Sequence, residues 1–534
     1  MELESDTYDV VVIGTGLAES LAAASLANSG KTVLHLDPNE YYGASQASLT
    51  LDELSSWATA RSGSSASAEA GPSTPAPSIY ISAQRRRYTH ASTSALSPAL
   101  QASRRQYALS LYPALLPSRG PLISTLITSG VSNYVGFRIL DSISVWRGEG
   151  QEVKRVPGSK EEVFKDKSIG LVDKRRLMKF LMFVAGEFEG EELLKGKEAL
   201  ALPEFLAQSF SIPPGLCQEI TYAIAHCSSP NEATLPALQR TRRYLKSIGR
   251  YGPSAFLVGQ YGGAGEVAQG FCRACAVKGG TYVLGSQADI ESLDISSEKD
   301  IETPITMKLA CHPRPISAKH LITTPDHLPP HLLPNPTGPG PERTTAHCIA
   351  VLSSFPVLLR RKADAEETEE REEDDTAVVL FPPEGERGLV RGLLMGEGTG
   401  SCPAGQFILY LSSTVTDADA VDPKTVLRPY LERLSQEPLF EAYYLSHDTQ
   451  SPPTAPSSSE SPQYAAGRVV VVESYSQGES ITEGLDWEAE QGEKAFWAVM
   501  GDKDKLEAGV KGWWEKDGEV EEGEGEEEVE LQGL

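Results

Sequence analysis

Four groups of residues in this 534-residue sequence have types and spacing that could do chemistry. The first is Gly14-Thr15-Gly16, a glycine turn between a strand-like run and a helix-like one. In a G-x-G-x-x-G turn the glycines let the backbone approach a pyrophosphate seated on the helix N-terminus. Gly14 and Gly16 fit that pattern, but Glu19 stands at the third position. A carboxylate there fills the packing gap and opposes a phosphate by roughly 4 kcal/mol at about 4 Å and an effective dielectric of about 20. Asp37, closing the next strand, is placed for a ribose hydroxyl but does not offset that charge. Gly14, Gly16 and Glu19 are therefore read as a degenerate cofactor turn, which predicts the fold and no bound cofactor.

The other three groups predict less. Cys272 and Cys275 form a C-x-x-C pair with no second pair at zinc-finger spacing, among apolar neighbours that suit a buried helix face. His327 and His331 are four apart, but Pro329 and Pro330 exclude the helix that would align them. Gly30-Lys31-Thr32 resembles the end of a phosphate loop, yet Ser25 replaces its first glycine and the helix precedes it. No catalytic residue and no metal site is predicted.

The elements that must position any site follow from pattern. Tyr8 to Ile13 is a short β-branched run, Ala18 to Asn28 has helix composition, and Lys31 to Leu36 reads as a second strand. That is a βαβ unit, which requires a parallel sheet. From about Thr59 to Arg104 the composition turns to Ser, Ala and Pro, and the stretch is read as a disordered insert. Helical periodicity dominates from about Asp173 to Ile248, and strand and turn chemistry resumes after Gly249. Further inserts are expected near 329–341, 360–375 and 451–462. The expected organisation is a large α/β domain in two parts, 1–156 and 248–501. A mostly helical domain, 157–247, is inserted between them, and an acidic tail, 502–534, follows.

Composition excludes several functions. A formal net charge of −26 disfavours binding to nucleic acid or to anionic lipid headgroups. No apolar run reaches the roughly 18 residues of a membrane span, and Met1 to Asp6 lacks the pattern of a secretory signal. Seven scattered cysteines read as reduced thiols, so the expected compartment is the cytoplasm, with membrane contact only transient and through a bound ligand.

Several segments together resemble the family of Rab GDP-dissociation inhibitors and Rab escort proteins. They are Tyr8 to Ser20 with Glu19 after the glycines, Val33 to Asp37 leading to Tyr41-Tyr42-Gly43, and the basic helix Lys174 to Leu181. The most specific is the run Gly249-Arg250-Tyr251-Gly252, Gly265 to Phe271 and Gly279-Gly280-Thr281-Tyr282. The resemblance implies a flavoprotein-like (Rossmann-type) large domain with a smaller inserted helical one. It implies a Rab-binding platform of Tyr42, Glu266, Arg273, Thr281 and Val283, where the family often has Met in place of Val283. Arg250, Tyr251 and Ser254 fall in what resembles a mobile loop that touches the GTPase. Ala44 replaces a second glycine after Tyr-Tyr-Gly, which puts that turn's geometry in question. Glu266 and Arg273, seven apart, could equally form a surface ion pair.

The implied partners are Rab GTPases in the GDP form, the Rab geranylgeranyltransferase heterodimer and the geranylgeranyl lipid on the Rab tail. The protein itself would be non-catalytic. The inserts, the acidic tail, Gly398 to Pro403 and the Glu493 to Trp497 helix favour the escort branch over the inhibitor branch, which recycles prenylated Rabs. A flavin-dependent oxidoreductase that tolerates Glu19 is the remote alternative.

Overall fold

The computed structural model describes residues 3–62, 78–148, 152–158, 160–295, 303–329, 342–360, 373–385, 387–415, 421–449, 468–476, 480–501 and 513–514. It opens with the expected βαβ unit: strand Thr7–Ile13, helix α1 (Leu17–Asn28) and strand Val33–Asp37, the two strands paired in parallel. Alanines on every side of α1 keep it thin, so α1 is buried from Leu17 to Ala27. The strand Thr7–Ile13 also pairs in parallel with Ile316–Thr323, and Val33–Asp37 with the edge strand Thr281–Leu284. Alternate residues serve opposite faces, as the strand period of two demands. Val10 and Val12 pack on the helix side, Val11 and Ile13 on the other.

Helix α2 (Leu51–Arg61) carries a complete capping box, Thr50 with Glu53. Of the stretch read as disordered, residues 78–104 form helix α3 (Ile79–Arg87), strand Tyr88–Thr93 and helix α4 (Pro98–Ser103). Ser78 and Ser97 cap the two helices. Arg61 donates to Gln84 at 2.8 Å, and Arg87 pairs with Asp326 at 3.2 Å and Asp448 at 3.5 Å. These partners lie far off in sequence, so local composition misses them. Residues 63–77 lie outside the described residues, as do 330–341, 361–372, 450–467, 502–512 and 515–534, where the other inserts and the acidic tail were read.

Strand Tyr88–Thr93 becomes one edge of an eight-stranded, mainly antiparallel sheet. That sheet takes strands Ser142–Trp146 and Val153–Arg155 from the first part of the chain and five strands between Glu342 and Thr449 from the last. Helix α5 (Pro121–Ser129) lies between. The segment after residue 157 is helical: α6 (Lys160–Lys165), α7 (Leu171–Ala185), α8 (Leu202–Phe210), α9 (Pro214–Gln218), a π-helical turn Glu219–Ile224 and α10 (Thr234–Ser247). Phe180, Phe205 and Phe210 meet inside this block. Helix α11 (Ala264–Val277) returns to pack on α1, α12 (Pro423–Leu434) covers the large sheet, and α13 (Gly484–Met500) closes the other side of α1. Arg243 of α10 pairs with Asp486 of α13 at 3.3 Å, and Asp486 in turn accepts the Leu122 N–H at the start of α5.

Candidate functional site

The glycine turn is filled by its own chain. Gly14 has φ +104° and Gly16 precedes the first residue of α1, the geometry a phosphate-binding turn needs. Glu19, however, folds back over it. A methyl group at Gly14 would stand 2.8 Å from Glu19 Oε1, and one at Gly16 would stand 2.6 Å from Oε2. Gln46 closes the turn from the other side, accepting the Leu17 N–H at 3.3 Å and donating to Glu488 at 3.2 Å. Burial, with the nearby charge of Glu488, pushes the Glu19 carboxyl up to about 8; burial pushes Glu488 up to about 7.

Asp37 is likewise engaged within the chain. It accepts Thr15 N–H (2.8 Å) and hydroxyl (2.5 Å) on one oxygen and the Asn39 N–H and amide (both 2.8 Å) on the other. Beside it, His327 stacks on Tyr80 at 4.7 Å. The residues present do not fit a dinucleotide: the pyrophosphate's place holds the Glu19 carboxyl group, and the ribose acid already has four donors.

A second glycine-rich turn is arranged differently. Gly262 and Gly263, with φ +86° and +81°, lead into α11. Gly265 lies so close to the backbone of Ser48 that a methyl group there would stand 2.6 Å from its nitrogen, and Gly43 meets Gly265 in the same way at 3.3 Å. These glycines press the Tyr41-Tyr42-Gly43 turn against the start of α11. Ala44 keeps the left-handed conformation, φ +45°, at the position questioned from sequence; alanine tolerates it at a cost of about 1–2 kcal/mol. The result is a cleft of about 350 Å³ shared by Tyr41, Tyr42, Tyr107, Tyr261 and Glu266. Burial raises the carboxyl pKa of half-buried Glu266.

The outward stripe of α11 runs Glu266, Gln269, Arg273, Val277, at helical spacing. Arg273 does not pair with Glu266; its guanidinium lies over the ring of Tyr134 at 4.7 Å. Tyr42 meets Tyr282 edge-on at 6.0 Å, and Tyr282 hydrogen-bonds His35 at 3.1 Å. Thr281 is half-buried at the start of the edge strand. By strand alternation Thr281 shares its side of the strand with Val283, facing Tyr8 and not the α11 side, and Val283 is the more enclosed of the two. It is buried on the core side of that strand with Leu34 and Leu36, so its side chain is not part of the outward face.

The predicted loop follows α10. Arg250 donates to the Ser118 carbonyl at 2.7 Å and lies over the ring of exposed Tyr251, while Ser254 accepts the Phe256 N–H. Cys272 and Cys275 are buried thiols whose pKa values burial pushes up to about 12 and about 11. Among the described residues no group of three or more His, Cys, Asp or Glu is placed to hold a metal. No helix among them is long and apolar enough to cross a membrane.

One face went unread in the sequence. On α6 and α7, Phe164, Leu171, Val172 and Met182 are 53–77% exposed, with Arg175 and Lys179 exposed among them. The helical periodicity that marks the buried side of α7 also defines this stripe, but periodicity does not say that an apolar residue is left outside.

With this geometry in hand, comparisons place the chain. The sequence model described as GDP dissociation inhibitor matches residues 3–74 and 77–329, more than half of the chain. The Rab proteins geranylgeranyltransferase component A of Saccharomyces cerevisiae is 30% identical over 77% of this chain and 62% of its own length. Rab escort protein 1 of Arabidopsis thaliana is 30% identical over 80% of this chain and 79% of its own. The chain thus spans a little over three fifths of the yeast relative. A crystal structure of Rab GDI from Plasmodium falciparum, at 20% identity, superposes with a TM-score of 0.62 over 93% of this chain and 98% of that one, which shows the fold.

Proposed function

The chain belongs to the GDP dissociation inhibitor family, and from that premise we propose that it acts as a Rab escort protein. It binds a GDP-bound Rab, presents it to the geranylgeranyltransferase and carries the prenylated product to a membrane. It performs no chemistry of its own.

The observation that carries this reading is the contrast between a sealed cofactor turn and an outward α11 face. Tyr42 and Glu266 share one cleft, and Arg273 lies two helical turns along the same stripe. Tyrosine and arginine are residue types that anchor interfaces. Arg250, Tyr251 and Ser254 lie in the loop that follows α10.

The escort branch asks for something more, since an escort holds a GTPase and a transferase together. The apolar and basic stripe on α6 and α7 supplies a second docking face on different helices from the platform. The helical block 157–247, taken as an inserted domain, is also where helices can part around a lipid. Each buried CH₂ of a geranylgeranyl chain contributes about 0.8 kcal/mol.

The inhibitor branch keeps its own support, because the fold neighbour is a Rab GDI and a relative at 29% identity is named Rab GDP dissociation inhibitor beta. A prenylation assay separates the two. With Rab, geranylgeranyl diphosphate and the transferase heterodimer, transfer is expected only when this protein is added, and this protein without the transferase transfers nothing. Extraction of prenylated Rab from membranes without stimulation of transfer would assign the inhibitor role instead.

A further inference from the structure

We infer that Tyr134, which no motif singles out, positions Arg273 for the docked GTPase and acts through it; this rests on the Rab-binding reading of α11. Tyr134 follows the single 3-10 turn Val131–Asn133, and its N–H donates to the Val131 carbonyl at 2.8 Å. What brings that turn onto α11 is Gly270. A methyl group at Gly270 would stand 3.0 Å from a methyl of Val131 and 3.0 Å from one of Val135. The two valines therefore clasp the bare backbone of α11, and Tyr134, carried between them, reaches Arg273 one turn further along.

The tyrosine is 47% exposed and the arginine is exposed as well, so the pair is presented to solvent and not used to tie the fold together. Among the described residues no carboxylate pairs with Arg273. A guanidinium laid on an aromatic face keeps its N–H edges free to donate to a partner. It also loses less freedom on docking than an arginine that must first be ordered. One turn beyond, Val277 is 73% exposed, which extends the face past the positions read from the sequence.

The test is the affinity of the full chain for a GDP-loaded Rab, measured by calorimetry for Tyr134→Ala, Tyr134→Phe, Arg273→Ala and the Tyr134→Ala/Arg273→Ala double variant. Tyr134→Ala is expected to weaken binding about tenfold, the scale of an interface hot spot, while Tyr134→Phe keeps the ring and stays within about twofold of wild type. The double variant should be no more than about twofold weaker than Arg273→Ala, with melting temperatures unchanged throughout. Where Tyr134→Ala fails to fold, Tyr134→Leu, which keeps bulk without the ring, is expected to lose affinity alike. Full affinity without the ring, or losses that multiply in the double variant, would overturn the inference. Wild-type protein with no measurable affinity for the Rab would remove the Rab-binding reading itself, a separate failure.

Discussion

Helices α1 and α11 lie side by side, each begins in a glycine turn, and each carries a glutamate as its third residue, Glu19 in one and Glu266 in the other. The same residue at the same helical position has opposite outcomes. Glu19 is sealed in the turn with Gln46 and Glu488 beyond it, while Glu266 stands at the rim of a tyrosine-lined cleft. A glutamate at the third position is thus neither a plug nor a contact by its chemistry. What decides is whether the chain elsewhere supplies groups to cover it. Around α1, Gln46 and Glu488 do so; around α11, the two glycine contacts at Ser48 and Gly43 hold a cleft open.

The comparison can be broken first at the glycines. Gly14→Ala must place a methyl against Glu19 while holding φ +104°, so a loss of about 3 kcal/mol is expected in urea denaturation. Gly263→Ala has φ +81° but only ordinary contacts, the nearest at 3.8 Å, and should lose about 1–2 kcal/mol. Equal losses would mean that Glu19 does not fill its turn.

The next largest effect is on the carboxyl itself. Folded, Glu19 keeps its proton to about pH 8, whereas its ordinary pKa is 4.5. The unfolded chain therefore binds fewer protons between those values, and stability falls as pH rises from about 4.5 to 8. Below that window there is no penalty. Glu19→Gln removes the titration and should stabilise the protein at pH 8 by about 2 kcal/mol, with the gain fading towards pH 5. A gain of the same size at both pH values would refute the assignment. The smallest effect is expected at the open glutamate: Glu266→Ala should weaken Rab binding by about 1 kcal/mol and leave the melting temperature unchanged.

Much of this was legible in the sequence, and the gaps have identifiable causes. The βαβ unit was readable because strand and helix there depend on neighbours in the chain. Glu19 was readable because a glycine fingerprint leaves one residue out of place. Tyr42 and Glu266 came from a resemblance, and the glycines that bring them together, Gly43 and Gly265, were already in the quoted motifs. Val283 was misplaced for a reason that strand alternation could have supplied, since Tyr282 packs with the helix-side core and its neighbour must face the other way. Tyr134 gave no signal, because its role depends on a valine pair meeting a glycine more than 130 residues away. The stretch 78–104 failed for a similar reason. Its ordering rests on Arg87 reaching Asp326 and Asp448, and composition counts residues without knowing which distant carboxylates await them.

The strand order has a consequence for how the protein is made. The first strand, Thr7–Ile13, takes one partner from Val33–Asp37 and the other from Ile316–Thr323. Tyr88–Thr93 has its partner in Phe440–Thr449, and α1 gains its last neighbour only when Gly492 of α13 comes to rest on Leu21 and Ala18. On a ribosome adding about 5–20 residues each second, the amino-terminal strands emerge many seconds before the segments that complete them. Throughout that interval they present open edges and an uncovered alanine-rich helix, the kind of surface that aggregates or engages chaperones. A ribosome that stalls anywhere before α13 releases a chain whose first helix has at least one side uncovered.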